Sequence, residues 1–321
     1  MRDHHSPLST PELRAAMTGP TVTGSVLGFG ELLWDLLPAG PALGGAPFNF
    51  AHRMHQFGYS ASYISRVGAD ALGDDALQDV RRLGIDDSLI QRDRQLATGT
   101  VNITLDSSGV PEIDIVQNVA YDAITEDDAW SAVASSCACL CYGTLAQRGQ
   151  VSREALSRLI EMCGDTIRVL DLNLRTDCWT PEVVLSSIAT AQVLKLNEDE
   201  APVVASVLGL PWTSPGQFCR DLLNVAPVDC CVVTLGPAGC LAINRQGDWA
   251  EQPGFAVGAV DTLGSGDAFT AGFIYRLLRG SPLADCCRLG NAMGAMTATQ
   301  HGGTGPLDYA MVSDLLQEPF N

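Results

Sequence analysis

The stretch Asp261-Thr-Leu-Gly264-Ser265-Gly266-Asp267-Ala-Phe269 combines residue types that can bind and activate a phosphate. It follows the apolar run Val257–Val260 and leads into a stretch that reads as a helix, Asp267–Leu278. A Gly-Ser-Gly turn at a helix N-terminus exposes several backbone N–H groups, and the helix dipole adds positive potential there. Together they favour an anion. Gly264 and Gly266 let the backbone approach that anion closely, with Ser265 between them. Asp267 then stands in the first turn, beside the anion hole. A carboxylate so placed could take the proton from a hydroxyl as it attacks phosphorus. The plain alternative is a carboxylate that only caps its helix. The flanking glycines and the upstream Asp261 favour chemistry.

Other reactive residue types offer less. Cys137, Cys139 and Cys141 alternate along an apolar run, and alternation predicts one shared strand face. They read as core, because a zinc site calls for a CxxC-type turn and further ligands. Cys230-Cys231 and Cys286-Cys287 read the same way. The cysteine count of 11 is odd and no apolar leader precedes it. Reduced thiols and a cytoplasmic location are therefore expected. Gly28-Phe-Gly30 lacks the third glycine of a dinucleotide fingerprint. Lys195 is the chain's sole lysine and has no glycine-rich lead, so it makes no P-loop. Gly264-Ser265-Gly266 has the wrong spacing for a nucleophile elbow.

These residues need a frame. Lys and Arg number 19 against 37 Asp and Glu, a formal charge of −18. That balance argues against nucleic acid and anionic membrane as partners, and it obliges any nucleotide site to create its own favourable local field. No apolar stretch is long enough to span a bilayer. Residues 1–21 read as a disordered tail. Strand-like runs at Ser25–Phe29, Ser60–Ile64, Cys139–Tyr142, Val169–Asp171, Val193–Leu196 and Cys231–Thr234 alternate with helix-like runs. Such βα alternation predicts a mostly parallel sheet with helices on both faces, and ligands at the carboxyl ends of its strands. One stretch breaks the pattern. Thr98–Leu105, a tight turn at Asp106-Ser-Ser-Gly109, and Pro111–Asn118 read as a hairpin. Glu31–Leu37 could add a strand. A small β element inserted in an α/β chain suggests a lid. The expected organisation is one domain over 22–321 with a discontinuous lid at about 31–45 and 98–120.

Asp-Thr-x-Gly-x-Gly-Asp resembles the carboxy-terminal signature of the ribokinase-like (PfkB) sugar kinases, with Ser265 where alanine is commoner. Gly44-Gly45-Ala-Pro-Phe-Asn49, followed by Arg66-Val-Gly68-Ala-Asp70-Ala-Leu-Gly73, resembles the amino-terminal signature. The two lie far apart and in the family's order, and the resemblance covers nearly everything after the tail. It implies an α/β/α sandwich with a mostly parallel sheet, a small β-sheet lid, ATP as co-substrate and Mg²⁺ as cofactor. A homodimer through the lid is a further expectation of this reading.

Other positions follow from the resemblance. Asn197-Glu-Asp-Glu200 is similar to the family's Asn-x-x-Glu motif. A carboxylate there can hold hydrated Mg²⁺ through water, Glu200 can complete a capping box with Asn197, and both can hold at once. Asp171-Leu-Asn173-Leu-Arg175 resembles a family strand end, placing Arg175 at the phosphate or the sugar; a surface ion pair is the alternative. Thr234-Leu-Gly236-Pro-Ala-Gly239 resembles the nucleotide-side loop, and Asn291 lies in the region bordering adenine. On the sugar side, Asp35 would accept bonds from paired hydroxyls, joined by Gly44, Gly45 and Asn49. The resemblance also places a K⁺ near Asp261 and the loop Gly302–Gly305.

Tyr142-Gly-Thr144-Leu-Ala-Gln147-Arg148 and Asn118-Val-Ala-Tyr121-Asp122 resemble the fructokinase branch, with Gln147 facing the sugar. Fructose, phosphorylated on a primary hydroxyl, is the first expectation. 2-Keto-3-deoxygluconate and ribose stand behind it. The reading of another class is a non-catalytic sugar- or nucleotide-binding homologue. Asp267, the Gly-Ser-Gly turn, Asn197 and Glu200 are intact, which favours the enzyme.

Overall fold

The computed structural model describes residues 24–37, 40–105 and 111–320. The expected tail, 1–21, and the expected turn, 106–109, lie outside the described residues. The main sheet contains β1 (Ser25–Phe29), β4 (Ser60–Gly68), β5 (Ile90–Asp93), β8 (Cys137–Tyr142), β9 (Ile167–Asp171), β10 (Val193–Asn197), β11 (Cys230–Thr234), β12 (Gly239–Asn244) and β13 (Trp249–Pro253). Its order is β13-β12-β11-β10-β9-β8-β1-β4-β5. Pairing is parallel from β11 to β5. The last two strands, β12 and β13, turn back antiparallel.

Alternation along the strands divides the core. Val26 of β1, Val193 of β10 and Val232 of β11 pack into one apolar layer. It is completed by α1 (Ala46–Gln56), α2 (Ala71–Arg82), α8 (Ser265–Leu278), α9 (Leu283–Ala298) and α10 (Tyr309–Leu316). Leu27, Leu194 and Val233 point the other way, onto α3 (Trp130–Ala134), α4 (Gln150–Met162), α5 (Pro181–Thr190), α6 (Glu200–Leu208) and α7 (Pro215–Val225). The result is the three-layer α/β/α arrangement, in which period-2 alternation feeds both helical layers.

The cysteine reading needs one correction. Cys139 and Cys141 enter the first layer, but Cys137 enters the second. The register between β1 and β8 shifts between Ser25 and Val26, opposite Cys137 and Cys139. One extra residue in a strand flips every side chain beyond it. All 11 cysteines are unpaired and buried.

A second sheet stands apart, in the order β3-β2-β6-β7, from β2 (Leu33–Leu37), β3 (Gly40–Gly44), β6 (Gly99–Leu105) and β7 (Pro111–Ile115). It contains the expected hairpin and the strand after Glu31. Its joint to the main body is well tied. Asp70 caps α2 through Gly73 N–H (2.8 Å) and accepts from both the backbone and the hydroxyl of Thr98, just before β6. Beyond β7, Arg148 donates to both carboxylate oxygens of Asp122 and to the Val116 carbonyl. No helix among the described residues is long and apolar enough to cross a membrane.

Candidate active site

Helix α8 starts at Gly264, whose φ of 77° is left-handed and suits glycine. Space forbids a side chain as well, since a Cβ there would stand 2.4 Å from the Gly303 Cα. No side chain caps this helix; within the Gly264–Gly266 turn the Ser265 N–H donates to the Thr262 carbonyl at 3.2 Å. Asp267 follows in the first turn. Its Oδ2 accepts from Asn49 Nδ2 at 2.7 Å, across 218 positions of sequence. Burial and the neighbouring Asp171 push its carboxyl up to about 6, against the Asn49 bond, Lys195 and Arg175.

Helix α1 brings the amino-terminal motif to the same place. Gly45 precedes it with a φ of 127°, and a Cβ there would meet the Glu31 carbonyl oxygen at 2.1 Å. Gly44 lies against Asp35: a Cβ there would sit 2.6 Å from its Oδ2. Asp35 is buried on β2, and burial lifts its carboxyl to about 6, with Arg175 opposing. The positive charge of Arg175 opposes the upward shift of Glu31, Asp35 and Asp267 alike. The structure thus brings together Asp35, Gly44, Gly45, Asn49, Arg175, Gly264, Ser265, Gly266 and Asp267.

Two residues that sequence reasoning did not assign belong to this centre. Glu31 is buried, and its Oε1 accepts the Ala46 N–H at the start of α1 (3.1 Å). Burial lifts its carboxyl to about 7. Lys195 lies under the anion turn. Its Nζ donates to both oxygens of Asp171 (3.0 and 3.3 Å), and a Cβ on Gly266 would stand 3.0 Å from it. Thr270, one turn into α8, donates to Asp171 as well (2.7 Å). Burial works to lower the Lys195 pKa, but Asp171, Glu200 and Asp267 outweigh it and hold the ammonium charged. Its being the sole lysine was the available signal, and its spacing gave no motif.

Other expected site residues turn inward. Gln147 is buried in the 3₁₀ turn Leu145–Arg148. Its amide donates to the Gly143 carbonyl (2.7 Å) and to Ser187 Oγ (2.9 Å), and accepts from Ser187. Its amide is thus engaged by the Gly143 carbonyl and by Ser187 of α5 rather than left open. Asn291 donates both amide hydrogens to the Gln252 and Pro253 carbonyls, tying α9 to β13. Glu200 accepts the Leu174 N–H (2.7 Å) on one oxygen and the Asn197 N–H (2.8 Å) on the other. Asn197 Oδ1 in turn covers the N–H groups of Asp199 and Glu200. This is the reciprocal capping alternative, realised. Thr234 donates to the Leu196 carbonyl (3.4 Å), and Gly236 and Gly239 bend the chain at φ 53° and 110° before β12. Among the described residues, no three His, Cys, Asp or Glu side chains are grouped to hold a metal ion.

The K⁺ expectation meets a filled site. Asp261 accepts from Leu263 N–H (2.9 Å) and Gly302 N–H (3.0 Å). The Gly303 and Gly305 carbonyls accept from the buried guanidinium of Arg53. These donors and acceptors satisfy each other, so they do not form a vacant oxygen cage for a cation.

Residues 41–309 match the family described as pfkB family carbohydrate kinase, which takes in both signature motifs and the helix they meet on. The chain belongs to that family. Within the pfkB family it is 27% identical to fructokinase-1 of Zea mays over 86% of this chain and 92% of the maize chain. It is 28% identical to fructokinase of Salmonella typhimurium over 87% and 95%. A solved fructokinase of Xylella fastidiosa with bound ATP superposes with a TM-score of 0.78 at 22% identity, covering 91% of this chain and 98% of that one. The pfkB fold accounts for the mostly parallel sheet, the accompanying small sheet and the meeting of the two distant motifs.

Proposed function

We propose that this pfkB-family chain transfers the γ-phosphoryl group of ATP to a primary hydroxyl of a small sugar, with fructose the preferred acceptor. The observation that carries this reading is Asp267. It stands at an uncapped helix N-terminus suited to phosphate, with one oxygen held by Asn49. The other oxygen is left to accept the proton of the attacking hydroxyl. In the transfer, the sugar oxygen bonds to the γ-phosphorus and the bond to the β–γ bridging oxygen breaks. The proton moves to Asp267 and leaves to solvent after product departs. A carboxyl raised to about 6 is ionised at neutral pH yet basic enough to accept it.

Asp35 accepts hydroxyl hydrogens of the sugar, while Gly44 and Gly45 allow it close to the backbone. Arg175 offsets charge at the mouth. Asn197, Thr234, Gly236 and Gly239 border the nucleotide. Mg²⁺ would arrive with ATP and neutralise charge on the phosphates, and Glu200, whose carboxylate caps α6, would meet it through water. The second sheet acts as a lid that excludes water, the competing acceptor. The fructokinase names of the maize and Salmonella relatives support the choice of fructose.

The test is kcat/KM with ATP and Mg²⁺ over fructose, ribose and 2-keto-3-deoxygluconate, read as ADP release. Fructose is expected to lead. Another sugar ahead by about tenfold moves the acceptor while leaving the kinase in place.

A further inference from the structure

Helix α1 carries an arginine where its surroundings are wholly interior. Arg53 has no exposed surface and lies one turn beyond Asn49, on the same helix face. Nη1 donates to the Gly305 carbonyl (2.8 Å) and to Gln56 Oε1 (2.7 Å). Nη2 reaches the Gly303 carbonyl and Thr297 Oγ1, both at 3.3 Å. Gln56 also donates to Gly305 (3.2 Å). Burial lowers the guanidinium to about 10, with Asp267 opposing, so it is charged at neutral pH. His52, on the preceding position, is pushed down to about 4 by burial, Arg53 and His55, and is neutral. Arg53 is therefore the cation of this pocket.

The loop it holds is the back wall of the anion turn. A Cβ on Gly264 would meet the Gly303 Cα at 2.4 Å, and one on Gly303 would meet the Asn49 amide at 2.5 Å. Asp261 closes the loop at its other end through Gly302. Carbonyl oxygens gathered away from water need donors, and a cation satisfies several at once. A fixed guanidinium supplies that cation permanently, whereas a soluble ion must be bound from solution.

We propose that Arg53 is a positioning residue, the built-in cation of the Gly302–Gly305 loop, and that it makes the Gly264–Gly266 turn independent of added monovalent cations. The claim rests on the kinase reading for its kinetic consequence only. The bracing of the loop stands by itself.

The experiment compares wild type, Arg53→Lys and Arg53→Ala in K⁺, Na⁺ and tetramethylammonium salts at constant ionic strength. Amide exchange of residues 302–305 is followed beside kcat. Wild type is expected to show the same kcat and the same loop protection in all three salts. Arg53→Ala should lose about 10- to 100-fold in kcat with little change in sugar KM, as supporting-shell losses do. Its loop amides should exchange faster, and guanidinium or methylguanidinium ion, below denaturing levels, should restore both. Arg53→Lys should retain more protection than Arg53→Ala. Stimulation of wild type by K⁺ of about fivefold or more, the scale of real coupling between sites, overturns the proposal. So does a folded Arg53→Ala whose losses guanidinium cannot restore, which would make Arg53 packing alone. If Arg53→Ala does not fold, the wild-type salt series and Arg53→Lys decide. A wild type inactive on every sugar refutes the kinase reading, and the exchange data then judge the brace separately.

Discussion

Of the helices that open with an acidic residue in the first turn, α6 and α8 give their carboxylates opposite fates. At α6, Asn197 Oδ1 covers the first N–H groups and Glu200 answers with a bond to Asn197 N–H and another to Leu174 N–H. Donors and acceptors cancel locally. At α8, Gly264 offers no side chain, no other side chain caps the turn, and Asp267 is held by an amide from a distant helix. A helix end whose hydrogen bonds close on themselves stabilises the fold. One left open is a ready anion site with a base beside it. Similar local sequence logic therefore closes one helix start on itself and leaves the other suited to the proposed chemistry.

The sharpest break of this contrast is Asp267→Asn. The amide can still accept from Asn49 through its oxygen, so stability should change by no more than about 1 kcal/mol. Loss of the base should lower kcat by about 10²- to 10⁴-fold. The measurements are kcat, a thermal melt and ATP binding by calorimetry. A folded variant keeping more than about a tenth of wild-type kcat would remove Asp267 from the role of base.

The pH profile tests the same group without mutation. With its carboxyl near 6, kcat/KM should fall about tenfold per unit below that pH and level off above it. Stability should run the opposite way. Asp35 and Asp267 at about 6, and Glu31 at about 7, keep protons in the fold that the unfolded chain has already lost. Their contribution is therefore present below the ordinary carboxylate range and lost as pH rises through 6 to 7. Urea melts of wild type and Asp35→Asn between pH 4 and 8 should show a shallower decline in the variant.

Glu200→Gln should do the reverse of Asp267→Asn. One of its two backbone N–H partners would face an N–H₂ group, costing about 1–3 kcal/mol of stability. The Mg²⁺ titration and kcat should move less than the melting temperature. A large rise in the Mg²⁺ requirement with unchanged stability would make the metal, rather than the cap, the main role of Glu200. The smallest effect is expected at Gln147→Leu, with fructose KM altered by no more than about twofold while stability falls. A tenfold rise in KM would place Gln147 at the sugar after all.

Much of this was legible in sequence because the relevant physics is local. Period-2 alternation wrote the strands, turn glycines wrote the α8 entry, and both signature motifs read in order. The lone residues were harder. Gln147 sits in a motif whose spacing suggests a strand end facing ligand, yet a 3₁₀ turn rotates it onto α5. Cys137 breaks its alternation through a register shift that no period reveals. The antiparallel pair β12 and β13 was not anticipated either, lying in a stretch with no strong alternation.

By itself, the sequence determined the layers and the glycine turn, and singled out Asp267 as the candidate base. These depend on backbone propensity and on neighbours a few positions away. Only the tertiary structure decided which polar groups remain available. Asn49 meets Asp267 across the whole fold, Arg53 meets the Gly303 and Gly305 carbonyls, and Lys195 slides beneath Gly266. Glu200, Asn291 and Gln147 instead spend their hydrogen bonds on the frame. Hydrogen-bond capacity is finite and filled by whatever packing brings near, so a polar residue's freedom to act is a property of the fold.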